Sequence, residues 1–288
     1  MPASPIKTYH FLSNKYGREL LLDIGRIENL ENYVLDSTRH QLSFYEVLII
    51  EKGKGSFMLD ETTIALSPGT VIFTSPGQIR QWHIKKPASG YTIFFEKDFL
   101  NLFFTDELFL YRFQYFHQYR KPTAMTLDKE TMLQCTGLVR QVENEINHLQ
   151  DDSSHLLRAL LYQLLVILHR AYARTWQLQT GTYIHPQFFA FRAMLEKHFI
   201  THHRVVDYVQ LLQISPAQLN KICRKYTGLS AQQLIHHKQL SEIKRRLICS
   251  PDSISDIAYT YNFSDPSNFN RFFKKLTGHS PRQYRLRV

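Results

Sequence analysis

Lys221, Arg224 and Lys225 return fifty residues later as Arg271, Lys274 and Lys275. Cations spaced i, i+3 and i+4 share one face of a helix. Guanidinium and ammonium groups gathered in this way bind phosphate, or the acceptor-rich edge of guanine. Gln218 and Asn268 stand beside them, and a side-chain amide can pair with adenine through two hydrogen bonds. Ser215, Ala217 and Asn220 complete the first candidate set, and Asp265, Ser267 and Asn270 the second. Gln218, Asn268, Lys221 and Arg271 lie in the N-terminal halves of their segments, the end that usually reaches base edges. Arg224, Lys225, Lys274 and Lys275 lie nearer the C-terminal ends and suit phosphate contacts.

These residues belong to a literal repeat. Residues 215–233 align on 265–283 without a gap, with seven identities. A gapless repeat means one structural unit used twice. Ser215 and Asp265 are N-caps, each followed by Pro at the first helical position, and Gly228 and Gly278 stop the helices about three turns later. Gln218 is placed to close a capping box with Ser215. The apolar stripe Leu219, Ile222, Cys223 and Tyr226 recurs as Phe269, Phe272, Phe273 and Leu276, so both helices are predicted to bury one face and present the basic one. A shorter helix and a tight turn precede each. Ser253–Asp256 caps the second of these, and Asn262 supplies its turn; in the first copy Val209 and Gln213 hold the positions of Ala258 and the turn residue. The pattern is that of two helix-turn-helix units. Ser230 caps a further helix running to about Cys249. Twenty residues span roughly 30 Å, close to the ~34 Å of one DNA turn. The spacing predicts that both reading helices enter successive major-groove segments of double-stranded DNA.

The charge distribution agrees. The formal net charge of the 288-residue chain is +10. Residues 185–288 hold sixteen Lys and Arg against six Asp and Glu, whereas residues 1–184 balance at nineteen each. All the excess sits on the repeat, as expected of a footprint for a polyanion. The three cysteines form no C-x-x-C pair, which fits a reducing compartment. No apolar run reaches the ~20 residues of a membrane span, and no signal-peptide pattern is visible. The expected protein is cytoplasmic, with no membrane partner and no cofactor.

Residues 1–123 read as short strands with Pro/Gly turns, a small antiparallel barrel or sandwich. Residues 124–176 are helical. Leu157, Leu161, Leu164 and Leu168 repeat at spacings of 4, 3 and 4, which suits either packing on the strand domain or a homodimer seam. Residues 177–187 form the linker, and 188–288 are all helix. The expected class is therefore α+β, with an all-α C-terminal domain. No nucleophile elbow, phosphate-binding loop or zinc-protease helix motif occurs, so no catalytic residue is expected. Glu46 and Glu51 lack a His-x-His partner and His83 stands alone, so no metal site is expected. Cys135 sits mid-helix without a cationic activator, unlike an alkyl-accepting thiol. The histidine doublets 202–203 and 236–237 read as surface residues, since adjacent helical residues face apart.

The stretch "DIAYTYNFSDPSNFNRFFKKLTGHSPRQYR" resembles the second helix-turn-helix unit of the AraC/XylS family of bacterial transcription regulators, and the likeness extends over roughly residues 185–287. Asn262 stands where that family usually has Gly. "YEVLIIEKGKGSFML" and "SPGTVIFTSPGQIRQW" resemble its cupin-like sensing domain. The resemblance implies ligand-responsive control of transcription, often by a dimer, with RNA polymerase as partner of an activator. It places an effector site around Arg80, Trp82 and His83, with Tyr45, Phe57 and Tyr91 as further candidates in the barrel. Strand alternation puts Arg80 and Trp82 on one face and His83 on the other. An inward Arg80 would favour an anionic or polyhydroxylated ligand; a salt-bridged or exposed Arg80 is the other reading. The competing function is a cupin-type metalloenzyme with a fused DNA-binding domain.

Overall fold

A computed structural model describes residues 6–29, 38–101, 110, 113–116, 122–178 and 186–287. The chain divides into two compact units, residues 7–182 and 183–288.

Among the described residues the first unit holds one eight-stranded sheet: β1 (Lys7–Tyr9), β2 (Leu22–Arg26), β3 (His40–Leu42), β4 (Tyr45–Leu59), β5 (Thr62–Leu66), β6 (Thr70–Thr74), β7 (Ile79–Phe95) and β8 (Ala124–Thr126). Its path is β1-β3-β7-β4-β6-β8, with β2 added to β7 and β5 to β4. The long strands β4 and β7 pair antiparallel from Tyr45↔Phe95 to Leu59↔Arg80. They carry the sheet from one layer, with β2 and β6, into another, with β3 and β5, which makes a half-barrel. Register shifts between Ile50 and Gly55 mark the bend, as bulges do where a strand must turn. Gly90 lies there at φ +152°, and an added Cβ would meet the Ile49 carbonyl oxygen at 2.0 Å.

The sheet has two buried faces. Val47, Ile49, Val71, Phe73, Tyr91, Ile93 and Phe95 pack with the helices that follow the sheet. Leu48, Ile50, Phe57, Leu59, Ile72, Trp82 and Phe94 fill the concave interior. After the short α1 (Lys97–Asn101) come α2 (Lys129–Asn147) and α3 (Ser153–Trp176). The helical segment starts later than the expected residue 124, because Ala124–Thr126 pair with β6 as a strand. Asp128 then caps α2 by accepting from Thr131 N.

The proposed seam is corrected by burial. Leu157, Leu161, Leu164 and Leu168 are all fully buried within their own unit's core. Helix α3 is long and apolar enough to cross a membrane, and these leucines account for much of that apolarity. They pack on the sheet and α2 and present nothing to a second copy.

The second unit is helical: α4 (Pro186–His198), α5 (Val205–Leu212), α6 (Pro216–Thr227), α7 (Ala231–Cys249), α8 (Ile254–Thr260), α9 (Pro266–Thr277) and α10 (Pro281–Arg287). The repeat is α5-α6-α7 followed by α8-α9-α10. Residues 179–185, most of the expected linker, lie outside the described residues.

Candidate functional site

Each copy of the repeat is held by the same backbone stitches. Asn220 Nδ2 donates to the Pro216 carbonyl at 3.0 Å and Asn270 Nδ2 to that of Pro266 at 2.9 Å. Thr227 and Thr277 hydroxyls donate back to Cys223 and Phe273 carbonyls, both at 2.8 Å. Ser230 and Ser280 N–H groups donate to Gln233 and Gln283 Oε1 at 2.8 and 2.9 Å. Gly228 and Gly278 end the helices at φ +69° and +79°. The turns of both copies use a non-glycine residue in the left-handed region, Gln213 at φ +53° and Asn262 at φ +56°.

In the second unit, Asp265 caps α9 by accepting from Ser267 and Asn268 N at 2.7 and 2.9 Å. These bonds hold its carboxyl below the usual range. Asn268 Nδ2 donates to Ser264 Oγ, and Arg271 Nη2 donates to Asn268 Oδ1 at 2.5 Å. Arg271 is thereby tied over the N-terminal turn of its helix, on the exposed face with Ser267, Lys274 and Lys275. Phe269 and Phe273 are fully buried beneath them. Leu276, expected in the buried stripe, is instead exposed.

In the first unit, Ser215 accepts from Gln218 N at 3.1 Å. The expected reciprocal bond is absent from the pairings seen: Gln218 Nε2 donates to Gln187 Oε1 of α4 at 2.9 Å. Ala217, Gln218, Lys221, Arg224 and Lys225 are exposed. Ala217, Lys221 and Arg224 line a groove of about 650 Å³ beside Val205 and Ser230. Asn220 and Asn270 are not free to read DNA, since each side-chain amide is spent on the backbone. Asn220 Oδ1 also accepts from Ala231 N at 3.0 Å, fastening α6 to α7. The histidine doublets lie half-buried at the surface. His236 stacks edge-on against Phe272 at 5.4 Å and bonds Gln232, and His202 packs on His198 and Tyr208.

The concave interior of the sheet holds a charged cluster. Glu46 and Arg80 are only 1% and 2% exposed and form a bidentate ion pair, Arg80 Nη1 to Oε2 and Nη2 to Oε1. Thr74 and Thr92 hydroxyls donate to the same carboxylate at 3.1 and 2.8 Å. Arg80 Cζ stands 5.1 Å from the Phe57 ring centroid, and Phe57 meets Trp82 edge-on at 4.8 Å. Arg80 thus faces inward but is salt-bridged, the second of the two readings its sequence context allowed, and Trp82 and Phe57 are brought together beside it. His83 is exposed on the outer side. Tyr91 and Tyr45 belong to the helix-facing layer, where Tyr45 stacks on Phe95 and Tyr91 OH accepts from Arg140 Nε at 3.3 Å. The sequence had shown Glu46 only as a weak metal candidate. The informative signal was a single carboxylate in the apolar run "FYEVLII", which a buried strand tolerates only with a cationic partner. Among the described residues no group of three or more His, Cys, Asp or Glu is gathered to hold a metal ion. Burial pushes the Cys135 thiol up to about 12, so it is inert as a nucleophile.

A model for an AraC-like ligand binding domain matches residues 28–165, and one for a helix-turn-helix domain matches residues 208–287. The chain belongs to the AraC/XylS family of transcription regulators. Its relatives include the HTH-type transcriptional activator RhaR of Mannheimia succiniciproducens, 21% identical over 86% of this chain and 87% of that protein. The transcriptional activator RhaS of Escherichia fergusonii is 26% identical over 85% and 86%. ToxT from Vibrio cholerae overlays with a TM-score of 0.44 at 12% identity, covering 93% of this chain and 98% of that one. As an AraC/XylS regulator the protein is a DNA-binding transcription factor with an N-terminal ligand-binding domain. The metalloenzyme alternative finds no support in these relatives.

Proposed function

We propose that this AraC/XylS regulator reads DNA with α6 and α9 in successive major-groove segments and answers to a small molecule held inside the N-terminal half-barrel. The observation that supports the DNA reading is the repeat itself: two capped helices with the same backbone stitches, apolar residues inside and cations outside. Arg271 and Lys221 would meet base edges, with Gln218, Asn268, Ser215, Ala217, Asp265 and Ser267 around the same helix starts. Arg224, Lys225, Lys274 and Lys275 would meet phosphates. The 19-residue α7 sets the spacing between the two readers. The interior cluster of Arg80, Trp82 and Phe57 is the part of the half-barrel that supports effector binding.

Self-association would use the exposed groove between α2 and α3. It is lined by Leu133, Gly137, Tyr162, Val166 and Ile167, and Leu133 is 73% exposed. The protein would act in the cytoplasm as an activator, with RNA polymerase as a further partner.

The test is DNA affinity across a salt series. Each phosphate contact adds roughly one unit to the slope of log affinity against log salt. Lys274→Ala is expected to reduce that slope by about one and to weaken all sequences alike. A wild-type affinity that stays constant across about 50–200 mM salt, a slope of zero, would rule out the basic faces as the DNA surface.

A further inference from the structure

Among the described residues, two donors inside the half-barrel have no acceptor: Arg80 Nε and Trp82 Nε1, both buried. Their side chains flank Phe57, at 5.1 and 4.8 Å from its ring. Buried donors are normally paired, and an isolated unpaired one is strongly disfavoured. Two at one place, around an aromatic ring, describe a surface that awaits acceptors.

The charges around them limit what can bring those acceptors. Among the described residues of this unit, Glu46 and Arg80 are the only buried ion pair. The carboxylate takes both Arg80 Nη groups and both threonine hydroxyls, which fills its four acceptor positions. His40 lies across β3–β7 from Arg80. Burial and the neighbouring guanidinium push its pKa down to about 4, so it adds no positive charge near neutral pH. Among the described residues the interior is therefore balanced before any ligand arrives. An acid would bring an uncompensated negative charge, or would take Arg80 from Glu46 and strand that carboxylate instead. A cation finds Glu46 already saturated.

We propose that the interior binds an uncharged small molecule that offers acceptors to Arg80 Nε and Trp82 Nε1 and an apolar face to Phe57. This rests on the effector reading above and narrows it: of the two ligand classes that an inward arginine suggested, the paired Arg80 favours the neutral one.

The test uses the full chain with ¹⁵N-labelled tryptophan. The protein has two tryptophans, and Trp82→Phe assigns the indole resonance of Trp82 against that of Trp176. The probes are matched pairs with one carbon skeleton: aldoses with their uronates, polyols with their aldonates, benzyl alcohol and benzamide with benzoate. At least one uncharged member is expected to shift the Trp82 indole N–H while leaving Trp176 in place, with its acid at least tenfold weaker. Trp82→Phe, read by calorimetry, removes one hydrogen bond and should weaken that ligand about fivefold. Glu46→Gln should reverse the preference within the pair by leaving Arg80 uncompensated. Where that variant fails to fold, the charge preference within the wild-type pairs decides the matter alone. An acid that moves Trp82 as strongly as its neutral partner overturns the neutral-ligand assignment and leaves effector control standing. A compound that alters DNA affinity without moving Trp82 overturns the site and likewise leaves effector control standing. Silence of Trp82 across the whole panel overturns the site as well.

Discussion

The two helix-turn-helix units share their backbone stitches and differ in what surrounds them. In the second unit the arginine over the helix start is fixed by Asn268, which is itself held by Ser264 and Asp265. In the first, Lys221 occupies the same position, and Gln218, the counterpart of Asn268, is turned to Gln187 of α4. Their cores diverge as well. Phe273 and Phe269 fill the second unit with Tyr284 and Phe263, whereas Cys223 and Leu219 take those places in the first. There, α4 supplies the missing bulk through Phe188 against Tyr226 at 5.2 Å. One repeat has thus been completed in two ways: the second unit fills its core with its own aromatics set against Ile243 and Leu247 of α7, and the first draws an aromatic from α4. A reading surface preorganised by its own N-cap is the more rigid one, and target preference has more freedom to vary in the other.

The sharpest way to break this comparison is a pair of core truncations. Phe273→Ala is expected to destabilise the protein by about 3–5 kcal/mol, the range for buried aromatics. Cys223→Ala should cost only about 1 kcal/mol, since it deletes one buried heavy atom. Chemical denaturation measures both, and equal losses would mean that the two cores are equivalent.

Next in size is the reading surface. Arg271→Ala should weaken specific binding by about 1–3 kcal/mol and relax one base position. Lys221→Ala should act at a different position and by less, because a flexible ammonium is not held by a neighbour. Binding to a panel of single-base variants separates the two.

A smaller difference sits at the stitches. Asn220→Ala removes two bonds, one of them to Ala231 N, and should cost about 1–2 kcal/mol. Asn270→Ala should cost about 1 kcal/mol, because position 281 is proline and has no N–H to lose. Thermal melts of the two variants test this order. Smallest of all, Gln213→Gly should stabilise by up to about 1 kcal/mol by relieving a left-handed glutamine. Asn262→Gly should change little, since asparagine tolerates that conformation.

The repeat was legible because every device that builds it is local. A cap, a proline, a helical stripe and a terminal glycine all act within a dozen residues, and the second copy confirms the first. The capping role of Gln218 failed where a distant partner, Gln187, competed for its amide. The half-barrel was legible as strands but not as faces. Tyr45 and Phe57 are both odd-numbered residues of one strand, so simple alternation puts them together. The register shifts between Ile50 and Gly55 send Tyr45 to the helices and Phe57 to the interior. Arg80 finds its partner 34 residues away, a pairing that no local pattern records. The leucine stripe of α3 has a helical period that fits a seam and a core equally; packing decides for the core.

The central claim is that the two repeated helices read DNA together from successive grooves. Selection of binding sites from random duplexes by the full chain tests it most directly. The expected result is a bipartite motif whose halves lie about one helical turn, ~10.5 base pairs, apart, with Lys221→Ala degrading one half and Arg271→Ala the other. A single uninterrupted motif in which both variants relax the same bases would contradict the account.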